Sequence, residues 1–269
     1  MIRTHQGSSS DPQHDWLLLD TPGVPGLADR FKQQFGDSHG WDELLADTDL
    51  HVIRDQGPLL VHLPLGDPLN NVLPQETAPW PGLRIVCAAP KQQLLDHLRR
   101  MLTVRFGGHY KSLLTYYNVQ TASYFFDEMD ALELSRWLGP IESLMWYGGP
   151  WVTKVEDTQG VQSVINPALE VTPLTIEPEL GLKQEKKLQQ CLIERHAYVW
   201  SRATGSNYRK TLDHIHEGLR HGFCDSAVLD NWLTLRARFA SAAVPPILPG
   251  DNPHQRFANL ANYWLGGWS

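Results

Sequence analysis

Along the first half of the chain, short unbroken apolar runs take turns with stretches whose apolar residues recur every three or four positions. The run Trp16, Leu17, Leu18, Leu19 stops at Asp20, Thr21, Pro22 and Gly23, the pattern of a buried strand followed by a loop. Leu27, Phe31 and Phe35 then stand four apart and Gly36 follows, which predicts one apolar face of a helix with a glycine stop. Residues 50–53 and 59–63 are two short apolar stretches around Asp55, Gln56, Gly57 and Pro58, and both read as strands about a turn. A Pro- and Asn-rich loop is expected between Pro64 and Pro81. A further strand is expected over 83–89, ended by Pro90. Leu94, Leu95, Leu98, Met101 and Leu102 carry helical spacing, with Arg99 and Arg100 near the end where cations suit the helix dipole.

Residues 103–106 and 111–117 flank Gly107 and Gly108, predicting a hairpin whose turn uses glycine's access to positive φ. Two helices follow. The second opens on Asp130 with Glu133 three residues on, a capping box, and ends at Gly139 and Pro140. Residues 144–147 and 151–155 read as strands around Gly148, Gly149 and Pro150. Periodicity fades over 157–181, where Pro167, Pro173 and Pro178 gather. Three helices are then expected: one around Leu188, Leu192 and Val199, one with Tyr208, Leu212, Ile215 and Leu219, and one with Leu229, Trp232, Arg236 and Phe239. Pro245 and Pro246 break the pattern before a final stretch with Trp264, Leu265 and Trp268. The expected organisation is an α/β (mixed α+β) N-terminal lobe with a mixed sheet over 16–155, then a linker or crossing segment over 156–181. A smaller all-helical lobe over 182–243 and a tail over 244–269 complete it.

Composition narrows the function classes. With 42% hydrophobic and 20% charged residues, the chain has ordinary globular usage. A net charge of −7 without a Lys/Arg run argues against nucleic acid as a partner. The apolar runs fall short of the ~20 residues a membrane span needs, and the polar N-terminus with Ser8, Ser9 and Ser10 has no leader pattern. A cytoplasmic protein is therefore expected. Cys87, Cys191 and Cys224 are odd in number and far apart, so they are expected as buried thiols rather than disulfides. Ten tryptophans suit either an aromatic core or a surface that buries itself against another protein.

The tempting catalytic motifs are incomplete. Asp20, Thr21, Pro22 and Gly23 copy a γ-phosphate-sensing Asp-x-x-Gly element, but no phosphate-cradling loop accompanies it. His216 and His221 are five apart, about 140° round a helix, which is not a His-Glu-x-x-His zinc site. His214, Glu217 and His221 do share a face by three- and four-residue spacing, and such a set can bind metal. The competing reading is a solvated polar face opposite Tyr208, Leu212, Ile215 and Leu219. Neither Gly-x-Ser-x-Gly nor a Gly-x-Gly-x-x-Gly loop after a strand occurs. The expectation is no catalysis, no cofactor and no metal. The alternative is a divergent metal-dependent hydrolase working from the His214, Glu217 and His221 face.

Several short motifs, in order, resemble a known family. Trp16 to Asp20 is similar to its opening apolar strand ending in Leu-Asp, and Gly57, Pro58, Leu59, Leu60 and Val61 to its Gly-Pro-x-Leu-Val strand. Leu94, Leu95, Asp96, His97, Leu98, Arg99 and Arg100 fit its x-x-Leu-x-x-His-Leu-Arg helix. Its Arg-x-Tyr-Asp-Pro motif is represented by Thr115, Tyr116, Tyr117, Asn118 and Val119, which keeps the tyrosine at 117 and lacks the Arg, Asp and Pro. Leu138, Gly139, Pro140 and Ile141 fit a Leu/Phe-Gly-Pro-Ile segment before a Trp-containing strand. The family is the type VI secretion effector adaptors that share the domain of unknown function 4123, and the resemblance covers residues 16–146. It implies a chaperone that binds a secreted effector protein and assists its loading onto the spike protein. For partner binding, the concave junction of two lobes is the expected place. Tyr147 and Trp151 are the expected aromatic anchors there, with Tyr116 and Tyr117 as secondary candidates.

Overall fold

Strand β1 (His14–Leu19) lies inside a six-stranded sheet, and its unbroken apolar run has a direct cause: both faces of the sheet are covered there. The computed structural model describes residues 14–36, 39–64, 67, 69 and 80–266. The polar N-terminus, most of the expected loop between Pro64 and Pro81, and Trp268 lie outside these residues. The remaining strands of this sheet are β2 (Trp41–Glu43), β3 (Leu59–Leu63), β4 (Gly82–Cys87), β7 (Ser143–Gly148) and β8 (Gly160–Ile165). Their order is β2-β3-β1-β4-β7-β8. All five ladders are antiparallel. A separate hairpin, β5 (Thr103–Phe106) and β6 (Tyr110–Leu113), turns on Gly107 and Gly108, both at positive φ.

Period-two alternation sorts β1 into two cores. Leu17 and Leu19 join Leu59, Val61 and Leu63 under α1 (Leu27–Phe35), where Leu27 and Phe31 are fully buried. Trp16 and Leu18 face the opposite side with Leu83, Ile85, Leu144 and Trp146. That side is covered by α2 (Lys91–Leu102), α3 (Val119–Phe125) and α4 (Ala131–Leu138). Helix α4 carries the expected capping box: Asp130 accepts from the Leu132 and Glu133 amides, and Glu133 accepts from the Asp130 amide.

Two expected strands are helical. Residues 51–56 form a 3₁₀ helix (His51–Gln56) whose Val52 is 80% exposed. The Thr48 hydroxyl accepts from the Leu50 amide, and the Thr48 carbonyl accepts from the His51 amide; an apolar residue left in water gains nothing from a ladder. Residues 151–156 form α5 (Trp151–Glu156), started by Pro150 and stopped by Asp157 in the left-handed region. Its β-branched Val152, Thr153 and Val155 point to a strand, and a turn and a half is too short to display a helical period. Conversely, β8 occupies part of the segment expected as a linker, pairing with β7 from Gly160 to Ile165.

The chain folds as two compact units, Met1–Cys191 and Leu192–Ser269. The first unit is the α/β part with its sheet. The second is helical: it holds the later part of α6 (Leu182–Thr204), then α7 (Tyr208–Arg220), α8 (Ser226–Arg238) and α9 (Pro253–Gly266). Within it, Trp232 is completely buried, donates its indole N–H to the His214 carbonyl at 2.7 Å, and packs against Phe223 and Trp264. Helix α9 lies in the stretch expected as a tail. Asn252 accepts from the Gln255 amide just before Pro253, and Leu260 and Trp264 are its buried residues, an N-terminal cap and spacing visible in the sequence. Cys87 and Cys191 are buried as expected, whereas Cys224 is exposed. Among the described residues, no helix is long and apolar enough to cross a membrane.

Candidate functional site

The four aromatic residues expected to meet a partner fall in different environments. Tyr116 is 1% exposed and donates its hydroxyl to the Leu98 carbonyl at 2.9 Å, and Tyr117 is 3% exposed. Both belong to the core beneath the sheet, so they offer no side-chain surface to a partner. Trp151 is buried at the start of α5, where its backbone N–H donates to the Tyr124 hydroxyl at 3.0 Å and Lys154 lies over its ring. Tyr147 is partly exposed on β7, with its hydroxyl on the Gln159 carbonyl.

Tyr147 belongs to a half-covered region of the sheet. The apolar cluster under α1 stops at β1, and next to it Arg84 of β4 pairs with Asp15 at 2.8 Å. Beyond this ion pair Val86, Ser143, Met145 and Tyr147 are only partly buried. The register sets Ser143 opposite Ile165, Met145 opposite Ser163 and Tyr147 opposite Val161. On β8 itself, Val161 is 53% and Ile165 72% exposed, while Val164 packs on the core from the other side. Strand β8 ends the sheet, and its sequence Gly-Val-Gln-Ser-Val-Ile contains no charge and no proline. Natural edge strands are commonly guarded by such residues, so this edge is an open template for a further strand.

The residues of the altered Arg-x-Tyr-Asp-Pro motif have structural partners. Asn118 caps α3 by accepting from the Gln120 and Thr121 amides, and its own amide donates to Asp20 at 2.7 Å. Asp20 also accepts from the Gly23 amide at 3.1 Å, so the Asp-x-x-Gly element closes a turn. At 4% exposure, burial pushes the Asp20 carboxyl above its usual range, against the two hydrogen bonds that lower it. Burial, and secondarily the Asp20 charge, push the Tyr117 hydroxyl up to about 12. Thr115 lies within hydrogen-bonding distance of Thr121, hydroxyl to hydroxyl at 3.3 Å.

The His214, Glu217 and His221 face is occupied otherwise. Glu217 receives the Arg236 guanidinium on both oxygens, at 3.0 and 3.2 Å. Arg236 also donates to the Phe239 and Ala242 carbonyls and stacks over Trp232 and Trp264. His221 ends α7 as its C-terminal cap. Among the described residues no group of three or more His, Cys, Asp and Glu side chains is placed to hold a metal ion.

Residues 144–147 read as a strand in the sequence and β7 forms there, whereas β8 does not read as one, because an edge strand need bury little; its weak signal is Val161, Val164 and Ile165 ahead of Pro167. No curated protein and no solved structure matches the chain. A protein-family comparison does find a match, and it covers the part of the chain from the middle of β1 to within α4: residues 16–136 fit the family described as Domain of unknown function (DUF4123).

Proposed function

We propose that this chain is a non-catalytic adaptor chaperone that binds a type VI secretion effector and assists its loading onto the spike protein. The observation that carries the reading is the open edge of β8, with Val161 and Ile165 exposed and no guarding charge. An extended effector segment added to this edge gains main-chain hydrogen bonds, and alternate side chains on one face give selectivity. Val161, Ser163 and Ile165 supply that face, continued inward by Tyr147 and Met145. The ordered motifs from Trp16 to Trp146 support the same class of function.

The test is capture of purified candidate effectors and spike proteins encoded beside this chain's gene, using the full chain and a Val161→Lys/Ile165→Lys variant. The expected result is a stable complex with one effector, weakened roughly 30-fold or more in the variant, as loss of buried anchors does. Failure to bind any encoded effector or spike protein would overturn the adaptor reading. Unchanged binding in a folded variant would move the docking surface off β8.

A further inference from the structure

A cavity of about 480 Å³ opens between α2, the end of α4 and the segment that follows β8. That volume lies within the range of small-molecule pockets, roughly 300–1,000 Å³. From α2 it receives Gln93, His97 and Arg100, whose spacing places them on one helix face. Helix α4 contributes Ser135 and Arg136, and the facing wall includes Leu169, Val171 and Leu174.

Hydrogen bonds fix this wall in place. Asn166 donates to the Gly139 and Ile141 carbonyls, both at 2.9 Å, and accepts from the Ala168 amide at 2.8 Å. The Leu169 amide donates to the Ser135 hydroxyl at 3.2 Å. His97 is held against the Trp137 carbonyl at 2.9 Å, and burial pushes its pKa down. A preformed cavity spares its ligand the entropy of ordering a loop.

The cavity's charge is unbalanced. Neither Arg100 nor Arg136 makes an ion pair among the described residues, and the Arg136 Nε is buried without a hydrogen-bond partner. A buried donor left unmade carries its full desolvation penalty. Among the described residues, the one carboxylate lining the cavity, Glu170, is exposed and pairs with neither arginine. Guanidinium forks suit carboxylate and phosphate alike. Phosphate sites, however, also draw on free backbone N–H groups, and here the Ala168 and Leu169 amides are already taken.

We propose that this cavity binds a ligand carrying a carboxylate on an apolar body, the carboxylate meeting Arg136 and Arg100 and the body lying against Leu169, Val171 and Leu174. The test uses the full chain and octanoate as the probe, followed by titration calorimetry and thermal shift, with octanamide and inorganic phosphate in parallel. Octanoate is expected to bind saturably and raise the melting temperature, with octanamide and phosphate each at least about tenfold weaker. Arg136→Gln is expected to weaken octanoate about tenfold or more. Arg100→Gln, at an exposed position that tolerates change, is expected to weaken it several-fold and stands in if Arg136→Gln does not fold. No saturable octanoate binding, binding unchanged in the folded variants, or phosphate or octanamide binding as tight as octanoate would each overturn the proposal.

Discussion

Asn118 donates its amide nitrogen to the buried carboxylate of Asp20 across 2.7 Å, tying the start of α3 to the end of β1 over 98 positions of sequence. An aspartate at 118 would keep the helix cap but set two carboxylates against each other in a dry site. Asn118→Asp is therefore expected to destabilise the fold at neutral pH by about 2 kcal/mol or more. The sign with pH follows from Asp20, whose folded value is raised above 3.8. A carboxyl so shifted lends its stability fully below the unfolded value and loses it as pH rises through the folded one. The deficit of the variant should narrow as pH falls toward 3.8, measured by urea unfolding; a deficit independent of pH would show that charge repulsion is not its source.

The same reasoning applies at the alkaline end. Tyr117 is pushed up to about 12 and Tyr116 also well upward, in both cases chiefly by burial. The contribution of Tyr117 is complete below its ordinary value of 10 and drains away between 10 and about 12. Unfolding free energy should fall steeply across that window. In Tyr117→Phe the slope should be shallower by up to about one proton, and an unaltered slope would assign the alkaline loss to other groups.

Arg236 and Glu217 do not contribute equally despite being partners. Glu217→Gln removes one charge at a partly exposed position, and about 1 kcal/mol is expected. Arg236→Ala also takes the guanidinium from two carbonyls, of which Phe239 keeps the Ala242 amide as a donor, and uncovers two tryptophans, so about 3 kcal/mol is expected. Chemical denaturation monitored by tryptophan fluorescence checks the order of the two. Equal losses would mean that the ion pair alone matters.

Gly139 is required at the end of α4. Its φ is +53°, and a Cβ there would stand 2.4 Å from Cε1 of His97. Gly139→Ala is expected to cost more than about 2 kcal/mol, part backbone strain and part displacement of the imidazole. Adding His97→Ala should recover the steric share while losing the hydrogen bond to the Trp137 carbonyl. Additive losses in the double variant would exclude the clash.

Much of the first unit was legible because its core imposes clear periods. Trp16 to Leu19 had to be apolar at every position with both faces covered, and Leu94, Leu95, Leu98, Met101 and Leu102 mark the buried stripe of α2. The misread elements are those whose side chains burial does not sort. Val52 and Ile53 stand in solvent on a 3₁₀ turn, α5 is too short for its period to emerge, and β8 exposes alternate residues at an edge. The binding candidates show the same limit. Tyr116 and Tyr117 look like surface aromatics in a hairpin context, yet the chain turns inward after Leu113 and buries them. Nothing local in the sequence reveals the Arg136 cavity, because its walls come from segments 93–100, 135–140 and 166–174.

The pairing of β1 on one side with β3 and on the other with β4 also governs the order in which the protein is made. When Leu19 leaves the ribosome, the second of its two neighbouring strands is roughly 70 residues from completion, about 3 to 14 seconds at typical elongation rates of roughly 5–20 residues per second. One edge of this apolar ribbon can pair as soon as β3 is made, but the other edge stays bare and one face uncovered for the whole interval. Nascent chains halted before Cys87 should therefore be protease-sensitive clients of ribosome-associated chaperones, and protection of the first strand should become complete only after β4 has emerged.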